Sequence, residues 1–130
     1  MITEYILLGP ATPLHRPRFS KGTVYNDQKA KMLIDYLSIK SQHGKRSLFI
    51  EPIRRDITFI FQVPQSYSFK KQQQLINKPY IGKCDVDNLV KMLLDVCTGA
   101  LYTNDNIVTT ISAEKIYGLQ SKTVFTIQTL

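Results

Sequence analysis

Five side chains between positions 85 and 105 have the types and spacing for phosphodiester chemistry. The stretch runs Lys83-Cys84-Asp85-Val86-Asp87-Asn88-Leu89-Val90-Lys91, with Asp95 and Asp105 beyond it. Four of the chain's ten acids fall there, although the chain as a whole is basic, with 17 Lys+Arg. Asp85 stands two residues before Asp87 in an expected extended lead-in to a helix, so the two carboxylates point the same way. Converging carboxylates repel each other unless a cation sits between them. Hard oxygen donors with no nearby His select Mg²⁺ or Mn²⁺ over zinc. Asp105, in Tyr102-Thr103-Asn104-Asp105-Asn106, adds a third carboxylate if that loop folds back over the helix start. With Asp87 at the N-cap, Lys91 and Asp95 follow at four-residue steps on one helix face. An ion held there polarises a scissile phosphate and lowers the pKa of a bound water. Lys91 would offset charge building on the phosphate or the leaving oxygen. Asp95 would serve either as a ligand through water or as the group that orients Lys91.

Spacing alone leaves a structural alternative open. Asp85 and Asp87 are also ordinary capping residues, and Asp105 is an ordinary turn former. Asp87–Lys91 and Lys91–Asp95 would make i,i+4 ion pairs worth about 0.3–0.5 kcal/mol each when exposed.

The elements that must position these groups follow from pattern. Residues 2–8 are rich in Ile, Leu and Tyr and suit a buried strand. The run 9–22 holds three prolines and two glycines, which exclude a helix and favour an extended loop. Residues 23–25 suit a short strand after a turn at Lys21-Gly22. Asn26 or Asp27 can cap a helix from near Gln28 to before His43-Gly44, with Ala30, Leu33, Ile34, Leu37 and Ile39 at helical spacing. From Arg55 to Val63, Ile57, Phe59 and Phe61 alternate with Thr58, Ile60 and Gln62, a strand that Pro64 ends. Residues 66–77 are polar and suit a short exposed helix. The next helix, capped by Asp87, runs to about Cys97-Thr98 and stops at Gly99. Its remaining positions are almost all apolar, so it is mostly buried with one polar stripe, which should border a cleft. Strands over 108–117 and 122–128 would flank a hairpin loop at Gly118-Leu119-Gln120-Ser121. The order predicts an α+β fold: a small mixed β-sheet packed with helices.

At 130 residues the chain suits a single domain, spanning 1–130, with a real hydrophobic core. No apolar run approaches the roughly 20 residues of a membrane span. The N-terminus carries an acid where a signal peptide would be basic, so a cytoplasmic protein is expected. Cys84 and Cys97 make no disulfide framework, and His15 and His43 lie far from them, so a zinc site is not expected. A formal charge of +7 points to a polyanion partner, or to nothing beyond solubility.

Asp85-x-Asp87-Asn88-x-x-Lys91-x-x-x-Asp95, then Gly99-x-Leu101-Tyr102 and Asn104-Asp105, resembles the signature of RusA-type Holliday junction resolvases. Arg16-Pro17-Arg18-Phe19, then Val24-Tyr25 and a helix, also resembles that family. Both ends of the chain match in order, with the less characteristic residues 40–80 between. The resemblance implies a homodimeric, Mg²⁺-dependent endonuclease that resolves four-way DNA junctions by paired nicks, with Mn²⁺ able to substitute. Members occur in phages and prophages as well as bacterial chromosomes. It also implies that Asp85, Asp87 and Asp105 are the essential acids and Lys91 the essential lysine, with Asn88 and Asp95 in recurrent supporting positions. Cys84 stands where the family often has Pro or a basic residue. Asn104 replaces one acid of a frequent Asp-Asp pair. Both departures bear on metal affinity and sequence preference rather than on reaction type.

Arg16, Arg18 and Lys21 lie on the proline-stiffened loop and suit phosphate contacts at low ordering cost. Lys83 would bring a phosphate to the metal. Lys45-Arg46, Arg54-Arg55 and Lys70-Lys71 are candidate flanking patches, and Phe19, Tyr25 and Tyr102 candidate stacking groups or core. A two-fold dimer would match the symmetry of a four-way junction. Rival readings are a nuclease acting on flaps or forks and a non-catalytic DNA-binding protein whose acids are structural.

Overall fold

The computed structural model describes residues 1–14, 18–20, 23–25, 28–82 and 84–130, and of 18–20 and 23–25 the backbone alone. Its main sheet has four strands: β1 (Ile2–Leu8), β4 (Ile53–Gln62), β5 (Val108–Gly118) and β6 (Lys122–Thr129), in the order β1-β6-β4-β5. β4 and β5 run parallel, and β6 runs antiparallel to both β1 and β4. A separate antiparallel pair, β2 (Arg18–Ser20) and β3 (Thr23–Tyr25), forms a small hairpin within the expected loop region. The helices are α1 (Lys29–His43), α2 (Phe69–Leu75) and α3 (Val86–Cys97). The fold is thus α+β with a mixed sheet, and no helix is long and apolar enough to cross a membrane among the described residues.

The alternation expected in β4 holds: Ile57, Phe59 and Phe61 are buried. They join Tyr5 and Leu7 of β1, Phe125 and Ile127 of β6, and Leu89, Leu93 and Cys97 of α3 in one core. The expected hairpin between the last two strands does not form. β5 and β6 lie on opposite sides of β4, and the loop between them passes over the end of that strand. Val63 N donates to Gly118 O at 3.0 Å, and Gln62 N to Ser121 Oγ at 2.9 Å. The reason lies in β4, whose buried face needs a partner strand on both edges, since unpaired buried amides are costly. Gly118 packs against Ile60, where a Cβ would collide with that side chain.

α1 also departs from expectation. Its N-cap is Gln28 rather than Asn26 or Asp27, which lie outside the described residues. Ile39 and His43 are buried, while Leu33, Ile34 and Leu37 are 57%, 66% and 54% exposed. The apolar stripe picked out by spacing therefore faces outward. The helix docks beside the sheet's β1 edge, where Gln42 donates to Ile6 O at 2.7 Å and accepts from Ile6 N at 2.8 Å. A side-chain amide thus occupies part of the strand edge that β6 leaves free.

Candidate active site

α3 is the spine of the site. Its buried face is Leu89, Met92, Leu93, Val96 and Cys97, at helical spacing. Asp85, not Asp87, occupies its N-cap, because the helix begins two residues earlier than the carboxylate pattern suggests. Asp87 falls in the first turn, where the helix dipole favours an anion. Asp85, Asp87, Lys91 and Asp95 are all exposed, and Asn88 is half-buried. Asp105 opens a short 3-10 turn, Asp105–Ile107, that leads into β5. Asn104 caps this turn, accepting from Asn106 N at 2.9 Å.

Two neighbours fix the start of α3. Leu14 N donates to Asn88 O at 3.2 Å, so the loop that continues toward Arg16 and Arg18 passes the first turn of the helix. Gln28 Nε2 donates to Pro13 O at 2.7 Å, tying that loop to α1. On the other side Lys115 Nζ, from β5, donates to Cys84 O at 2.6 Å, anchoring the lead-in that carries Asp85. Nothing in the sequence marks Lys115 for this task, which arises only when β5 and α3 meet.

The structural alternative for the acids is realised only in part among the described residues: Asp85 holds the N-cap position and Asp105 starts a turn, but the side-chain bonds it calls for do not form. Asp85 makes no side-chain cap hydrogen bond. Neither Asp87–Lys91 nor Lys91–Asp95 closes to an ion pair; among the described residues the pairs that form are Lys31–Asp35 at 2.7 Å and Arg54–Asp56 at 3.1 Å. The Asp95 carboxyl is pushed above the usual carboxylate range, first by partial burial, then by the Asp105 charge, with Lys91 pulling the other way. The structure thus brings Asp95, Asp105 and Lys91 into one electrostatic neighbourhood. Asp87 lies two helical turns earlier, about 12 Å along the axis. Among the described residues no group of three or more His, Cys, Asp or Glu is close enough to hold one metal ion.

The carboxylates still fit a divalent cation of the magnesium kind. They are hard oxygen donors with no side-chain hydrogen bond or ion pair among the described residues, and the Asp95–Asp105 repulsion is the kind a cation relieves. Mg²⁺ is commonly held by one or two carboxylates together with substrate phosphate and water, rather than by a full protein cage.

Other expected groups fall differently. Arg16, Lys21 and Lys83 lie outside the described residues, and for Arg18, Phe19 and Tyr25 only the backbone is described. Arg54-Arg55 is not a basic patch, since Arg54 pairs with Asp56 and Arg55 is fully buried. Tyr102 is core, not a stacking platform; its hydroxyl donates to Leu94 O at 3.1 Å. Burial raises the Tyr102 pKa, with Arg55 opposing. Sequence reasoning missed the role of Arg55 beneath the site, although its place on the inward parity of an apolar strand was a usable signal. His43 is buried and engaged by Tyr5 Oη at 2.8 Å and Ser47 O at 2.9 Å, which leaves it no free nitrogen for a metal.

Over 123 residues the chain is 28% identical to the uncharacterized protein YqaN of Bacillus subtilis (strain 168), covering 88% of this chain and 87% of that protein. Residues 9–128, which include the α3 acids, Lys91 and Asp105, match the family described as endodeoxyribonuclease RusA. The chain therefore belongs to the RusA endodeoxyribonuclease family, a family of Holliday-junction-resolving endonucleases.

Proposed function

We propose that this protein is a Mg²⁺-dependent, homodimeric endonuclease that nicks four-way DNA junctions symmetrically in recombination and repair. The observation that carries this reading is the idleness of the site's charged groups. Asp85, Asp87, Lys91 and Asp105 have no hydrogen-bond or ion-pair partner among the described residues, in a chain with few acids to spare. Asp85, Asp87 and Asp105 are the acids assigned to Mg²⁺, with Mn²⁺ able to replace it; since no three acids gather round one point among the described residues, one or two of them would hold the ion at a time, with substrate phosphate and water completing its shell. The ion's contribution when bound is to polarise the scissile phosphate and acidify a water. Lys91 supplies positive charge between the first turn of α3 and Asp95, where it can offset the phosphate's developing charge. Asn88 and Asp95 support the first turn and Lys91 respectively. Arg16, Arg18, Lys21 and Lys83 are assigned to the DNA backbone. For the two arginines the support is the Leu14–Asn88 contact, which carries their loop past α3. For the dimer, the support is the outward apolar stripe of α1, which one protomer leaves uncovered.

The test incubates wild type and Asp87→Asn with a labelled four-way junction and a matching duplex, in Mg²⁺ or EDTA. Paired, Mg²⁺-dependent nicks in the junction alone, lost in Asp87→Asn while binding persists, are expected. Tight binding without cutting by either protein would make this a DNA-binding module. Preferential cutting of flaps or forks would move the substrate and keep the chemistry.

A further inference from the structure

Arg55 is 0% exposed on the inward face of β4, among Ile53, Ile57 and Phe59. A guanidinium does not shed its charge, and taking it out of water costs several kcal/mol unless good partners compensate. The partners here are neutral. Nη1 donates to Tyr102 Oη at 3.0 Å and Nη2 to Cys97 Sγ at 3.4 Å. The guanidinium carbon sits 4.4 Å from the centre of the Phe125 ring, a cation–π contact. Nε has no partner. A well-packed apolar side chain of similar volume would fill this space at lower cost, so packing does not explain the arginine.

Its contacts lead toward the acids. Tyr102, held by Arg55, donates to the carbonyl of Leu94, the residue before Asp95. Tyr102 itself stands three residues before Asp105, and its carbonyl accepts from Gly99 N at 2.7 Å. A continuous set of contacts therefore runs from β4 through one phenol to both segments that bear Asp95 and Asp105. We infer that Arg55 is a positioning residue for the acidic site. Through Tyr102 it sets the spacing between the last turn of α3 and the Asp105 loop, and with it the affinity for a divalent cation. This inference rests on the assignment of Asp105 to the metal made above.

The experiment compares wild type, Arg55→Met, Tyr102→Phe and the double variant. Peptide-level hydrogen exchange is measured without metal, Mn²⁺ binding is followed by electron paramagnetic resonance, and each protein is melted. Exchange over residues 98–107 should quicken in each single variant while peptides of the main sheet are unchanged. Mn²⁺ affinity should fall about tenfold, the scale on which residues that orient metal ligands act. The double variant should lose no more than the worse single one, because both substitutions break the same link. Arg55→Met should melt at or above the wild-type temperature, which a merely structural arginine would not allow. Wild-type exchange and Mn²⁺ affinity in Tyr102→Phe would overturn the inference, as would losses that add in the double variant. Should Arg55→Met fail to fold, Tyr102→Phe decides alone. Asp105→Asn binding Mn²⁺ as wild type does would sink the site assignment and the claim on affinity with it. Unchanged exchange would sink the strut alone.

Discussion

At the scale of single residues, the Asp95 carboxyl stands out because its surroundings oppose its ionisation. Partial burial and the Asp105 charge raise its pKa, and Lys91 only partly compensates. A carboxyl whose folded pKa lies above its unfolded value binds its proton more tightly in the native state. Ionising it therefore costs native stability, fully above the folded pKa and not at all below the unfolded value of about 3.9. Asp95→Asn should accordingly melt at a higher temperature than wild type at neutral pH, with the gain shrinking as pH falls toward that value. A series of thermal melts between acid and neutral pH checks this; a variant less stable at pH 7 would contradict it. The same repulsion makes a second prediction. Added Mn²⁺ should raise the melting temperature of wild type, by mass action on the native state, and raise that of Asp105→Asn less.

Among the elements, α1 and β4 separate what pattern can and cannot reveal. Leu37→Glu at the centre of the outward α1 stripe should shift a dimer to monomer in sedimentation, with little change in melting, since the side chain is already exposed in one protomer. Retained dimerisation would place the seam elsewhere. Gly99, after α3, sits at φ +90°, where an added Cβ meets the Tyr36 ring only at an ordinary 3.5 Å. Gly99→Ala should therefore cost about 1–2 kcal/mol through backbone conformation rather than collision, read from denaturant unfolding. The strand in β4 and the apolar face of α3 were legible because burial on one face leaves a period of 2 or 3.6 in the residues themselves. The α1 stripe shows the same period for the opposite reason, since periodicity marks an apolar face without saying what covers it. The strand order left no such mark, because it depends on which edges remain to be paired. At the site, the residue types of Asp85, Asp87, Lys91 and Asp105 were legible. The Lys115–Cys84 anchor and the Arg55–Tyr102 link join residues 31 and 47 positions apart and were not.

For the whole molecule, a formal charge of +7 with four of its ten acids gathered along α3 and the Asp105 loop predicts junction binding dominated by phosphate contacts. The logarithm of affinity should fall linearly with the logarithm of salt, and Arg16→Ala or Arg18→Ala should each lessen that slope by about 1. A slope that neither substitution changes would remove the loop from the DNA surface. The order β1-β6-β4-β5 bears on something else, the timing of synthesis. β6, translated after every other strand, is the one that seats between β1 and β4. While a nascent chain still lacks residues 122–129, both of those strands present an open edge to whatever else is near. Loop closure between Ile2 and Gln128 spans nearly the whole chain, so this step is slow by its topology. The growing polypeptide is thus exposed to wrong strand pairing until β6 has been made, and a chaperone that shields strand edges would matter most in that interval.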